Sequence, residues 1–362
     1  MRPAGNWAPA LSHLPDGLAA SSPLTDIYDI ALLDLDGVVY IGDQPVPGVP
    51  EVLSAVREIG MRLAFVTNNA SRRAAEVAAV LTEMGVPAAA QDVTTSAQVA
   101  AHLLRERLAP GSAVLVVGAE ALADEVRDAG LTPARSADSM PAAVVQGYGP
   151  GVSYRDLAEA TVAIRGGALW MATNTDSTIP SVRGPLPGNG ALVAALRVAT
   201  GTRPEVVGKP HLGLHRECVE RTGARRPLVV GDRLDTDIAG AVAAGADSLL
   251  VLSGLTTPEI LIAAQAGQRP TYISFDVTGL LEEHPEVVSD DGQATCRGSM
   301  ARWDGPDMVV SGGGVEAVEP LDVLRALCAA SWAADRSPEA VRASDAAAAA
   351  ALHTLELVDR QD

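Results

Sequence analysis

The sequence predicts an α/β fold on a parallel sheet, with an inserted α/β domain and a small α+β appendage at its C-terminal end. Three observations predict it. Short apolar runs alternate with helix-length segments through most of the 362 residues. Several runs stop abruptly in small polar or acidic residues, where the ligand crevice of an open parallel sheet lies. Beyond about residue 281 the alternation fades and the composition turns acidic.

Residues 1–26, rich in Pro, Ala, Ser and Gly, read as an irregular leader. Ile30-Ala31-Leu32-Leu33 is apolar throughout, as expected of a strand covered on both faces. Asp34 and Asp36 end it, and Gly37 lets the backbone turn. Strand geometry would point both carboxylates to one face, where they repel unless a cation lies between them. The pair therefore suggests a hard metal held by oxygen ligands. A solvated strand end with an Asp-Gly turn fits the same residues. A hairpin-like excursion and a helix from Gly48 to Ile59 follow. The next strand, Arg62 to Val66, ends in Thr67-Asn68-Asn69, whose hydroxyl and backbone N–H groups suit phosphate oxygens; alone, the tripeptide also fits a helix cap. A helix from Arg72 to Met84 is stopped by Gly85 and Pro87.

Strands are expected at Ala113–Gly118, Ala143–Tyr148 and Leu169–Thr173, with helices near Leu122–Ala129 and Tyr154–Ile164 between them. No acidic cluster ends these strands, so residues 95–190 read as a separate insert that covers or selects. Its closing loop, which carries Asn174, Asp176 and Arg183, is too long and polar for a simple connection and is expected to reach a ligand. The core, residues 27–94 and 191–281, resumes with a helix from Ala191 to Ala199 and a short run ending at Lys209. On the helix from His211 to Arg221, His211 and His215 have metal-ligand spacing but no acidic partner, and read as a solvated face. The strand Leu228–Val230 leads into Gly231-Asp232 and on to Asp235 and Asp237, and a strand from Ser248 to Gly254 follows.

Composition narrows the function classes. Hydrophobic residues make up 48% and aromatics 3%, so the core must be aliphatic. A net charge of −18 opposes binding to nucleic acid or an anionic membrane. No apolar run approaches the ~20 residues of a membrane span and the N-terminus lacks a signal pattern, so a cytoplasmic protein is expected. Cys218, Cys296 and Cys328 are odd in number and widely spaced, as reduced, buried thiols would be. Of the 27 basic residues 26 are Arg, which makes the single lysine, Lys209, a candidate for work that a guanidinium cannot do.

Asp34-Leu35-Asp36-Gly37-Val38, Thr67-Asn68-Asn69, Gly208-Lys209-Pro210 and Gly231-Asp232 with Asp237 follow strands in this order, and in this they resemble the haloacid-dehalogenase superfamily of phosphohydrolases. The insert resembles the larger, C2-type cap of its subfamily IIA, the branch of p-nitrophenylphosphatase and of UMP, pyridoxal phosphate, phosphoglycolate and glycerol-3-phosphate phosphatases. The resemblance implies a Rossmann-like core and hydrolysis of a phosphate monoester through an aspartyl phosphate. It implies Asp34 as nucleophile and Asp36 as general acid and base. Mg²⁺ would be held by Asp34, Asp232 and the backbone carbonyl of Asp36, with Asp237 orienting a bound water. Lys209, Thr67 and Asn68 would bind the phosphoryl group, and Asn174, Asp176 and Arg183 of the cap loop would select the leaving group. No aromatic ring for stacking a base is evident there, which favours glycerol phosphate or phosphoglycolate over a nucleotide or pyridoxal phosphate.

The resemblance does not cover residues 282–362. From Glu286 onward fourteen acids face six arginines. A strand near Asp307–Val310, a flexible Gly312-Gly313-Gly314 hinge, an amphipathic helix Leu321–Ala334 and an Ala-rich helix Pro338–Leu355 are expected, packed on the core or on a second subunit as a homodimer. A regulatory or scaffolding protein working through this appendage is the reading from another class.

Overall fold

The computed structural model describes residues 20–179, 183–290 and 292–357. Most of the expected leader, residues 1–19, lies outside them. Among the described residues the chain divides into two compact units, one from 20–41, Pro45–Leu63 and 224–357, the other from Gly42–Gln44 and 64–223.

In the first unit four strands lie in the order Tyr272–Ser274, Asp247–Val251, Pro227–Gly231, Ile30–Leu33, all parallel, with Leu33 level with Val230 and Val230 level with Leu249. Ile30–Leu33 and Pro227–Gly231 are buried at every residue, which is why their sequences run apolar without alternation. The helix Val49–Ile59 has Pro50 in its first turn, where a missing N–H costs nothing, and buries Val49, Leu53 and Val56.

The C-terminal residues carry more sheet than expected. Four antiparallel strands, Val287–Asp290, Gln293–Cys296, Ser299–Asp304 and Asp307–Ser311, are joined by a fifth, Val341–Ala343, parallel to Asp307–Ser311. Strand alternation is present here: Asp307–Ser311 buries every second residue. The strands were hidden because each is short and joined by a tight turn at Gly292, Arg297-Gly298 or Gly305-Pro306. The helix Pro320–Ala334 matches the expectation, whereas the second helix is only Ala346–Thr354, the preceding residues being strand. Gly312 is fixed rather than a hinge: its N–H donates to Asp345 Oδ2 (2.8 Å), whose other oxygen caps the last helix.

The appendage shares a core with the parallel sheet. Leu234, Ile238, Leu250, Leu261, Ile262 and Ile273 pack in one apolar cluster with Ala294, Cys296, Val323, Leu324, Leu327 and Cys328. Cys218, Cys296 and Cys328 are all buried, and none is in a disulfide.

The second unit contains the strand Arg62–Thr67 from Ala64 onward, parallel to Val93–Thr95, and a five-stranded parallel sheet ordered Glu205–Val206, Leu169–Ala172, Ala143–Gln146, Ala113–Val117, Thr132–Ala134. The helix Asn189–Thr200, expected to resume the core, instead sends Val193 and Leu196 into the apolar cluster of this sheet with Leu115, Val144 and Trp170. The insert's own sheet therefore runs on to Val206. His215 is buried on the helix Gly213–Thr222, not on a solvated face, and His211 precedes that helix. Among the described residues no helix is long and apolar enough to cross a membrane.

Candidate active site

In the first unit the polar residues sit where the parallel strands end. Asp34 follows Leu33, and its N–H still donates to the Val230 carbonyl (2.8 Å), so the ladder runs one residue past the strand. The chain then turns: the carbonyl of Leu35 accepts from the N–H groups of Val38, Val39 and Tyr40 at 2.9 to 3.2 Å. Because the strand has ended, the alternation that would align Asp36 with Asp34 no longer applies. Asp36 is exposed and Asp34 half-buried. Gly37 has φ +85°, and a Cβ there would lie 2.5 Å from Asp232 Oδ2.

Asp232 follows Gly231 of the neighbouring strand, and Asp237 lies in a single wide helical turn, Leu234–Ile238, of a kind frequent at functional sites. The Arg233 N–H donates to Asp237 Oδ2 (3.1 Å). A Cβ at Gly231 would be 2.2 Å from Asp237 Cβ, so only glycine lets the two approach. The result is a cluster: one carboxylate oxygen from each of Asp34, Asp232 and Asp237 lies within 4.8 Å of the others. Asp232 and Asp237 are each only 1% exposed. Three like charges this close, two of them fully buried, are costly without a cation, and an all-oxygen donor set suits a hard divalent ion. Asp36 contributes no side-chain oxygen to the cluster.

In the second unit Thr67, Asn68, Lys209, Asn174 and Asp176 form a connected set. Lys209 is 4% exposed, which removes the reading of an ordinary surface charge. Its Nζ donates to the Val66 carbonyl (3.3 Å) and its N–H to Asn68 Oδ1 (2.8 Å). Asn68 Nδ2 donates to Asp176 Oδ2 and to the Lys209 carbonyl, each at 3.2 Å. The Asn68 side chain thus holds Lys209 and Asp176, and any phosphate contact from this residue is left to its backbone. Thr67 is buried, with Oγ1 accepting from the Asn69 N–H (3.0 Å). A Cβ at Gly208 would stand 2.3 Å from the Thr173 carbonyl oxygen, which explains the glycine before the lysine.

Asn174 is buried and donates to the Asn68 carbonyl (2.7 Å), so it shapes the loop from within. Arg183 is exposed, between the short strands Thr178–Ile179 and Leu186–Pro187; residues 180–182 lie outside the described set. Several supporting residues escaped the sequence reading. Ser96 Oγ donates to the Asn68 carbonyl (2.6 Å) and Asn189 Nδ2 to that of Asn174 (2.7 Å). Ser253 and Thr256, in the loop after Val251, bond to the Gly37 turn and to Asp232. The signal that flagged the other positions, polar residues directly after an apolar strand, was present there too.

Family models described as haloacid dehalogenase-like hydrolase and HAD-hydrolase-like match residues 31–132 and 206–280. A third, of a GCN5-related N-acetyltransferase like domain, matches residues 296–357. The chain is 48% identical over 342 residues to the D-glycerol 3-phosphate phosphatase of Mycobacterium tuberculosis, covering 91% of this chain and 95% of that protein. It is 34% identical over 258 residues to the acid sugar phosphatase of Staphylococcus saprophyticus, covering 71% of this chain and 98% of the relative. The crystal structure of the glycerol phosphate phosphatase of M. tuberculosis in complex with magnesium matches with a TM-score of 0.84 at 46% identity, covering 93% of this chain and 99% of that one.

Proposed function

The chain belongs to the haloacid dehalogenase-like hydrolases, and we propose that within them it hydrolyses glycerol 3-phosphate. It is a phosphoric monoester hydrolase that uses Mg²⁺. The observation that carries the reading is the trio of Asp34, Asp232 and Asp237 at adjoining strand ends. The substrate rests on the mycobacterial relative, which aligns over 95% of its own length.

The three carboxylates fit Mg²⁺, a hard ion that binds oxygen; the Asp36 carbonyl is proposed as a further ligand, with Asp237 acting through a bound water. Bound there, the ion neutralises the crowded carboxylates and the phosphoryl oxygens. The chain's own groups carry the proton and covalent steps. Asp34 attacks phosphorus with a carboxylate oxygen as the ester bond breaks, forming an aspartyl phosphate. Asp36, exposed and outside the trio, gives its proton to the departing alkoxide. It then takes one from the water that splits the intermediate into inorganic phosphate and free Asp34.

Lys209 supplies a compact positive charge to the phosphoryl group in transfer, and Thr67 and the backbone of Asn68 bind its oxygens. The insert, which begins near residue 95 and whose sheet runs on to Val206, acts as the cap, with Asp176 and Arg183 meeting the leaving group and Asn174 shaping their loop. We read the enzyme as cytoplasmic and able to pair as a homodimer, and its net charge of −18 opposes binding to nucleic acid.

Released phosphate measured with glycerol 3-phosphate, phosphoglycolate, UMP and pyridoxal phosphate at saturating Mg²⁺ tests the assignment. Glycerol 3-phosphate should show the highest kcat/KM, by about tenfold or more, equivalent to ~1.4 kcal/mol of transition-state discrimination. A higher value for UMP or pyridoxal phosphate replaces the substrate. No release from any ester points to the scaffolding alternative.

A further inference from the structure

The trio is held from a third strand end. The strand Asp247–Val251 lies beside Pro227–Gly231, which separates it from Ile30–Leu33. Its outgoing loop, Leu252 to Thr256, must therefore cross two inter-strand spacings, ~10 Å, to reach the turn after Asp36. It does so with hydrogen bonds at both ends. Ser253 Oγ donates to the Gly37 carbonyl (2.7 Å). The Leu255 N–H donates to Asp232 Oδ2 (2.7 Å), fixing the rotation of that carboxylate. Thr256 gives two bonds to the Asp232 carbonyl, from its N–H (3.2 Å) and from Oγ1 (2.6 Å). Gly254 makes the approach possible: a Cβ there would stand 2.0 Å from Asp232 Oδ2, and one on Gly37 would stand 3.0 Å from Gly254 Cα.

We propose that the loop Ser253–Thr256 is a clamp that sets the separation of Asp232 from the Asp34–Gly37 turn, with Ser253 and Thr256 as positioning residues for the metal trio. Both hydroxyls are spent on backbone carbonyls, those of Gly37 and Asp232. Their effect is to hold the peptides that carry the trio's members, and Thr256 is itself buried. The inference rests on the metal reading above and extends it to residues that touch neither ion nor phosphorus. Supporting groups behind metal ligands typically change affinity 10–100-fold when removed.

The test measures Mg²⁺ binding by titration calorimetry on the full chain without substrate, beside kcat and KM. Thr256→Val should weaken Mg²⁺ binding about tenfold or more while Thr256→Ser restores it, since the serine keeps the hydroxyl that donates to Asp232. Ser253→Ala should lower kcat with little change in KM, because it loosens the turn carrying Asp34 and Asp36 rather than a substrate contact. Should Thr256→Val not fold, Thr256→Ala carries the same measurement. A folded Thr256→Val or Thr256→Ala variant that binds Mg²⁺ as tightly as the wild type, or a Ser253→Ala variant with wild-type kcat, overturns the clamp alone. A wild-type protein that binds no Mg²⁺ overturns the metal reading and the clamp with it.

Discussion

Two regions of the first unit meet opposite physical demands. The edge carrying Asp34, Asp232 and Asp237 concentrates like charge, and glycines at 37, 231 and 254 let the chain come closer than any side chain would allow. The flank covered by the appendage does the reverse. There Leu234, Ile238, Leu261 and Ile273 meet Leu324, Leu327 and Cys328 in an apolar cluster whose cohesion depends on volume and burial. The polar bonds on that flank mostly end on backbone: Ser331 Oγ donates to the Ile262 carbonyl (2.9 Å) and Trp332 Nε1 to that of Leu261 (3.2 Å). One region is specified by residue identity at fixed positions, the other by pattern and fit. The acid sugar phosphatase relative, which aligns over 98% of itself but only 71% of this chain, manages with a shorter chain.

If that division is right, variants at the charged edge should remove activity without unfolding the protein, and variants on the flank should do the opposite. The largest effect belongs to Asp34→Asn: phosphate release should fall on the order of a thousandfold or more, because the amide is no nucleophile, while the thermal midpoint stays at or above that of the wild type. Wild-type turnover in this variant would contradict the covalent route. Relieving repulsion in the trio is expected to stabilise, so a lowered midpoint would show the edge to be structural after all.

Lys209 comes next. Removing one preorganised positive group from a transferring phosphoryl typically costs about 10²–10³ in kcat, so Lys209→Ala should lose that much. Lys209→Arg should lose nearly as much, since the buried ammonium against the Val66 carbonyl leaves a planar fork no equivalent place. An arginine variant within a fewfold of the wild type would reduce Lys209 to a generic cation.

The contrast between the regions also explains what was legible in the sequence. Asp34 and Asp232 were readable because each directly follows an apolar strand, and a parallel sheet gathers such ends without further information; Thr67 and Lys209, in the second unit, stand out by the same signal. The placement of Asp36 was not, because the strand stops at Leu33 and side-chain alternation gives no direction beyond it. Ser253 and Thr256 were missed because hydroxyl residues after a strand look like a turn until their acceptors are known. In the appendage Gln293–Cys296 spans four residues beside a turn, too short for alternation to register, and only pairing with Ser299–Asp304 makes it a strand. The helix Asn189–Thr200 was read correctly as a helix but assigned to the wrong sheet, since an apolar stripe does not say which sheet it covers.

The flank has one buried charge pair, and it sharpens the comparison from the other side. Arg325 Nη1 donates to Asp322 Oδ1 (2.8 Å) and Nη2 to the Ile273 carbonyl (2.9 Å), joining the appendage helix to the last strand of the parallel sheet. Arg325→Ala strips a buried carboxylate of its main partner, which typically costs about 3–5 kcal/mol. The thermal midpoint should fall by several degrees in a single transition, because the core is shared, while kcat measured well below that midpoint stays within about twofold. Two separated transitions would mean that the appendage folds on its own.

The smallest effect tests the joint between the regions. His284 is buried where the sheet passes into the appendage, its ring against Tyr272 (4.8 Å between centroids) and Nε2 bonded to the Gly279 carbonyl (2.9 Å). Burial pushes its pKa down from 6.5 to about 4. Between those values the unfolded chain binds a proton that the folded chain refuses, so this contribution is whole above pH 6.5 and is lost as pH falls toward 4. At about pH 5.5 the loss should be ~1 kcal/mol, growing to ~3 kcal/mol near pH 4. His284→Gln keeps a polar group in place without the titration. The difference in unfolding free energy between wild type and variant should therefore shrink as the pH falls across this window. A difference independent of pH would show that the imidazole is reached by water, and that the joint is looser than the apolar flank on either side of it.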